Sequence, residues 1–142
     1  MDKVIVNTLN ELDEFCKGFC QSLKPGDVIC LTGDLGAGKT AFVQSVAKAF
    51  NITDQVKSPT FNILLQYKND EVAINHFDLY RLEKAQELED IGFYEAVESK
   101  AFSFVEWAEK FKDQMPEDSI WITIKKVDET TREFQVVQKD EK

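Results

Sequence analysis

The sequence predicts an α/β fold, with a mixed parallel and antiparallel sheet flanked by helices in one domain. Three observations carry that prediction. Strand-like and helix-like patterns alternate along the 142 residues, the order that layers helices on a sheet. The run VICL at 28–31 has strand length and no polar face, as expected of a strand covered on both sides. It leads directly into GDLGAGKT at 33–40 and then into a helical pattern.

KVIV at 3–6 reads as a short strand, and Thr8 followed by Glu11 has the spacing of a capping box that opens a helix. Leu9, Leu12, Phe15, Cys16, Phe19, Cys20 and Leu23 recur at helical steps and form one apolar face. KPGD at 24–27 is turn chemistry before the VICL strand. After Gly38, the residues Phe42, Val43, Val46, Ala47 and Phe50 mark a second amphipathic helix. SPTFNILLQY and VAINHFDLY flank the polar turn KNDE at 68–71 and predict an antiparallel hairpin. KAQELEDIGFYEAVES reads as a short acidic helical region interrupted by Gly92. AFSFVEW at 101–107 is a further apolar strand, with a helical stretch after it to Met115. SIWITIKKV and EFQVVQ around DETT predict a terminal hairpin, and KDEK is expected to fray.

A single domain of this length buries roughly 68 to 70% of its unfolded surface without a covalent staple. Cys16, Cys20 and Cys30 lack a CxxC spacing and sit among apolar residues, so they read as reduced core residues in a cytoplasmic protein. With one histidine, His76, a zinc site has little support. No run approaches the ~18 to 20 apolar residues that span a bilayer, so no membrane association is expected. Twenty-six acidic against 17 basic residues give a net charge of -9. A direct grip on a nucleic-acid backbone, which needs clustered Lys and Arg, is disfavoured, and any contact with RNA is expected to be indirect.

Gly33, Asp34, Leu35, Gly36, Ala37, Gly38, Lys39 and Thr40 fill the pattern GxxxxGK[ST], and the strand before and helix after supply its context. Glycines let backbone N–H groups turn toward phosphates, and the helix start adds positive potential. Lys39 reaches outer phosphates, and the Thr40 hydroxyl ligates Mg2+. The domain is therefore P-loop NTPase-like.

Hydrolysis also needs an acid near the metal and a means of orienting the attacking water. Asp78 and Glu106 each close a strand-like run, where a sheet presents them to phosphates; the plain alternative is a solvated acid at a strand end. His76 shares strand parity with Asp78, where it orients that carboxylate or is simply a buried histidine. Trp107 packs against nucleotide or caps the core. KSPT at 57–60 senses an outer phosphate or is an ordinary turn. Arg81 touches a phosphate or partner, or neither. The acidic run from Glu83 to Glu98 is a solvated helix face or a protein-docking surface.

GTPase signatures, NKxD and DxxG after the second strand, do not occur. Small-molecule kinases of this class carry an arginine-rich lid, whereas only Arg81 and Arg132 are present. The segments GDLGAGKT, SPTF, HFDLYRL, LEDIGFYEA and VEW resemble, in order and approximate spacing, the bacterial TsaE (YjeE) family over residues 3–137.

That resemblance implies an ATPase component of the tRNA threonylcarbamoyladenosine system. It would bind ATP and Mg2+ through Lys39 and Thr40, with Glu106 and Asp78 completing the metal and water arrangement and Trp107 near the nucleotide. Thr131 and Arg132 stand where the family has a Gly-Arg pair close to the nucleotide. Two further departures are Ala41, where a second threonine is usual, and Ala108, where a proline is usual. The implied role is accessory: weak ATP turnover alongside TsaD and TsaB supports modification of the adenosine beside the anticodon in tRNAs reading codons that start with A. TsaE itself does not perform the transfer.

Overall fold

The computed structural model describes residues 2–33, 38–53 and 63–138. Asp34, Leu35, Gly36, Ala37, the KSPT segment and the terminal KDEK lie outside them. Among the described residues, seven strands form one sheet: β1 (Asp2–Val6), β2 (Val28–Thr32), β3 (Leu64–Lys68), β4 (Ala73–Asp78), β5 (Phe102–Glu106), β6 (Ile120–Lys126) and β7 (Arg132–Gln138), in the spatial order β1-β7-β6-β2-β5-β4-β3. β6, β2, β5 and β4 run parallel, while β3 pairs antiparallel with β4, and β7 antiparallel with both β6 and β1. The expected mixed sheet and both hairpins are present.

The unbroken apolar run in β2 is explained by its place at the centre of the sheet. Ile29 and Leu31 pack in one core with helix α1 (Leu9–Gln21) and helix α2 (Lys39–Ala49). Val28 and Cys30 pack on the opposite face with the two short helices α3 (Gln86–Asp90) and α4 (Phe93–Val97) and the segment after β5. Rings of Phe15, Phe19, Phe42 and Phe134 meet at centroid distances of 5.3 to 6.3 Å, joining α1 and α2 to β7 in a cluster whose geometry adds to area burial.

α1 opens on its capping signal with a variation. Thr8 Oγ1 accepts from the Glu11 N–H at 3.1 Å, but the Glu11 carboxylate accepts from the N–H of Asn7, at 2.6 Å, instead of from Thr8. The start of α1 is thereby tied to the end of β1. The acidic helical region is two short helices divided at Gly92. The stretch after Trp107 is a 3-10 segment, Ala108–Gln114, broken at Phe111, so its helical reading holds only in this tighter, kinked form. All three cysteines are free and buried. Desolvation raises the thiols of Cys20 and Cys30 to about 12, and that of Cys16 further in the same direction. They are core residues, and no group of three or more His, Cys, Asp or Glu side chains converges to hold a metal among the described residues. No helix there is long and apolar enough to cross a membrane.

Candidate nucleotide site

Register brings the strand-end residues level. Leu31 pairs with Glu106, and Glu106 with Asp78, so three adjacent parallel strands end together just before the chain leaves β2 at Gly33. Ligands bind outside the carboxyl ends of such strands. Alternation settles the face. Asp78 and His76 share the parity of Ile74, and Glu106 that of Phe104; Ile74 and Phe104 lie in the core beneath α2. All three polar side chains are buried, on the side of the sheet from which α2 starts.

Gly33 has φ 140°, and a Cβ there would stand 2.4 Å from the carbonyl oxygen of Ile124. No side chain fits, so glycine at this position is required by the close approach of the loop to β6. Gly38, φ 109°, caps the start of α2, and the Phe42 N–H donates to its carbonyl at 2.9 Å. Lys39 is only 5% exposed. Its Nζ donates to the Gly33 carbonyl at 3.0 Å and lies 4.0 Å from the centre of the Trp107 ring. The P-loop lysine therefore bridges the two ends of its own loop and rests on an aromatic face, a favourable contact for a desolvated cation.

Trp107 adopts a left-handed backbone, φ 62°, uncommon for a bulky residue. That conformation turns the chain out of β5 directly after Glu106. A proline at 108 would bias the preceding residue toward extended backbone; Ala108, fully buried, is compatible with the turn. Tyr80 lies against Trp107 at 4.9 Å between ring centroids and is 55% exposed. Asp78 sets up this contact, since its Oδ1 accepts from the Tyr80 N–H at 2.9 Å.

His76 is oriented differently from the expectation. Its Nε2 lies 2.6 Å from Oε2 of Glu106, on the neighbouring strand, so its partner is Glu106 and not Asp78. Parity placed His76 on the correct face; the lateral neighbour depended on strand order. Arg81 is exposed on the turn beyond Asp78.

A cleft of about 270 Å³ opens between Gly38 and the terminal hairpin. Val6, Leu12, Ala41 and Phe134 form its apolar walls; Asn7, Thr8, Thr130 and Arg132 supply polar groups. Leu9, 73% exposed, stands at its mouth. The Nε atom of Arg132 is 3.9 Å from where a Gly38 Cβ would stand. Arg132 donates from one terminal nitrogen to the carbonyls of Asp128, at 3.0 Å, and Thr131, at 3.2 Å. The Asp128 carboxylate accepts from the N–H groups of Thr130 and Thr131, and the backbone bond from Thr130 followed by Thr131's side chain holds it below the usual carboxylate range. Thr131 itself donates from Oγ1 to Asn7 Oδ1 at 2.7 Å and ties the hairpin to the start of α1. The structure thus brings Arg132 to the cleft and gives Thr131 a bracing contact. Asn7, Thr8, Leu9 and Ala41 as cleft residues escaped the sequence reading; the capping pair hid them, because it explained Thr8 completely as a helix start.

The model of the family "Threonylcarbamoyl adenosine biosynthesis protein TsaE" matches residues 6–134. This chain belongs to the TsaE family. It is 42% identical to the tRNA threonylcarbamoyladenosine biosynthesis protein TsaE of Bacillus subtilis over 111 residues, 78% of this chain and 69% of that one. It is 35% identical to the TsaE of Aquifex aeolicus over 141 residues, 98% of both. A crystal structure of Bacillus subtilis YdiB superposes with a TM-score of 0.81 at 31% identity, covering 96% of this chain and 84% of that one. TsaE proteins are P-loop nucleotide-binding proteins of tRNA modification, and this chain shares their role in threonylcarbamoyladenosine biosynthesis.

Proposed function

We propose that this TsaE-family chain is a weak ATPase whose cycle is read by partner proteins, TsaD and TsaB, and that it does not itself transfer the threonylcarbamoyl group. The observation that carries the reading is the meeting of Lys39 with Trp107, the residue next to Glu106, at the carboxyl ends of the parallel strands. A phosphate-reaching cation and a buried carboxylate there serve hydrolysis, in which one group neutralises developing charge and the other orients water.

Gly33 through Thr40 would surround the phosphates, and Lys39 would exchange the Gly33 carbonyl for an outer phosphate. The cleft beside Gly38 is near the lower limit, about 300 Å³, of small-molecule pockets. It suits the base and sugar alone, with Leu9 and Ala41 as apolar surfaces and Arg132 at the edge. Thr40, Glu106 and Asp78 offer hard oxygen donors of the kind Mg2+ takes together with water and phosphate oxygens. Bound magnesium supplies charge neutralisation at the phosphates. The net charge of -9 supports contact with tRNA only through the complex.

Phosphate release with and without TsaB and TsaD tests the proposal. Stimulation by the partners that disappears in Lys39→Ala is expected; release unaffected by Lys39→Ala overturns it. A second reading has one observation in its favour: Trp107 links Lys39 to the exposed ring of Tyr80, so occupancy alone has a route to the surface. In that reading nucleotide binding gates assembly, and Glu106→Ala retains full function in reconstituted tRNA modification.

A further inference from the structure

The single histidine of the chain is fully buried, and its two ring nitrogens differ in kind. Nε2 meets Glu106 Oε2 at 2.6 Å, a short contact for a nitrogen donor and carboxylate. Nδ1 has no hydrogen-bond partner among the described residues. A buried N–H without an acceptor is rarer and costlier than an acceptor without a donor. The proton therefore belongs on Nε2, which donates to the carboxylate. The second oxygen, Oε1, has no hydrogen-bond partner among the described residues.

We propose that His76 is the positioning residue of Glu106: Nε2–H holds Oε2, which turns Oε1 toward the phosphate side of the strand ends as the oxygen that orients water or metal. The inference rests on the ATPase reading and deepens it. Rigid support comes from the sheet, since His76 pairs in register with Phe104 on β5, two residues before Glu106. Tyr67 lies on the other side of the imidazole, 6.0 Å between ring centres. The bond that Nε2 makes is to Glu106, while Asp78 Oδ1 accepts from the Tyr80 N–H.

Because the chain has one histidine, long-range 1H–15N spectra of the nucleotide-free protein report it without ambiguity. The expected result is a protonated Nε2 and a bare Nδ1, with the Nε2 proton protected from exchange in the wild type and lost to rapid exchange in Glu106→Ala. A proton on Nδ1, or an Nε2 signal indifferent to Glu106→Ala, overturns the proposal. In steady-state ATP hydrolysis, His76→Leu should lower kcat about 10- to 100-fold, the usual cost of losing a group that orients a metal-site ligand, with KM within about threefold. His76→Gln, which returns an N–H donor near the Nε2 position, should recover most of that loss and carries the kinetic test if the Leu variant does not fold. A folded His76→Leu with wild-type kcat, beside an inactive Glu106→Ala, overturns positioning and leaves the ATPase reading intact. Full hydrolysis by Glu106→Ala removes Glu106 from the machinery and overturns positioning with it, whereas hydrolysis unchanged in Lys39→Ala overturns the ATPase reading itself.

Discussion

The centre of the sheet and its terminal flank solve different problems at one site. In the centre, β2, β5 and β4 run parallel and end level, so Gly33, Glu106 and Asp78 emerge from a common edge, where both carboxylates are buried. On the flank, β6, β7 and β1 are joined antiparallel, and the cleft residues come from a turn and a helix start. Parallel pairing delivers groups in a fixed lateral row, as a reacting phosphate requires. The hairpin and capping turn supply instead a wall with apolar area and exposed polar groups, which the proposed function assigns to the base. The centre is therefore expected to govern turnover, and the flank affinity.

Lys39→Ala is the largest test of this division. Phosphate release should fall about 100- to 1,000-fold, the usual loss on removing one preorganised stabilising donor. Gly33→Ala attacks the seam between the regions, because its Cβ would overlap the Ile124 carbonyl of β6. Strained backbone plus overlap should cost at least about 2 kcal/mol in urea unfolding. Retention of wild-type stability would show that loop and flank do not need this close approach.

Arg132→Ala should weaken nucleotide binding about two- to tenfold, the equivalent of one ordinary hydrogen bond, with turnover at saturating ATP changed less. If its turnover at saturation falls as far as that of Lys39→Ala, the division of labour fails. Tryptophan fluorescence should change on adding magnesium ATP. Of the two tryptophans, Trp107 and Trp121, Trp107→Phe should abolish most of that change and Trp121→Phe keep it; the opposite pattern would move the reporter away from Lys39.

The smallest effect concerns the clasp between α1, over the flank, and α2, over the centre. Asp13 accepts from Lys48 at 2.7 Å and from Ser45 at 2.8 Å. The bond from Lys48 foremost lowers the Asp13 carboxyl below its ordinary value of 3.8. A lowered folded value means that this contribution is present above the unfolded pKa and is lost as pH falls through the folded one. Lys48 is well exposed, so Asp13→Asn should cost under about 1 kcal/mol near neutral pH. The difference between variant and wild type should shrink as pH falls through the lowered folded pKa, where the Asp13 carboxyl takes up its proton. A larger cost at neutral pH would make the clasp a main link between the two regions.

Much of the centre was legible because local chemistry specified it. The apolar run in β2, the glycine and lysine spacing after it, and the carboxylates closing β4 and β5 each carry their own physical requirement. His76 shows where such reading stops. Period-two alternation gave its face, but its partner sits thirty residues away and was decided by which strand lies alongside. The flank was less legible still. Thr8 satisfied a capping pattern, Asn7 and Leu9 carried no motif, and Arg132 had only a resemblance to support it, since a turn residue's direction depends on the hairpin that holds it.

The sequence by itself determined the phosphate loop, the alternation of strands and helices, and the family, because each is written in short-range spacing, and it offered the two strand-end acids as candidates. Only the tertiary structure decided that Glu106 is the carboxylate paired with His76, that Asp78 braces the turn bearing Tyr80, and that Gly38, Leu9 and Arg132 share one cleft. Those assignments depend on lateral strand order and on close approach between distant segments, quantities that no local pattern contains.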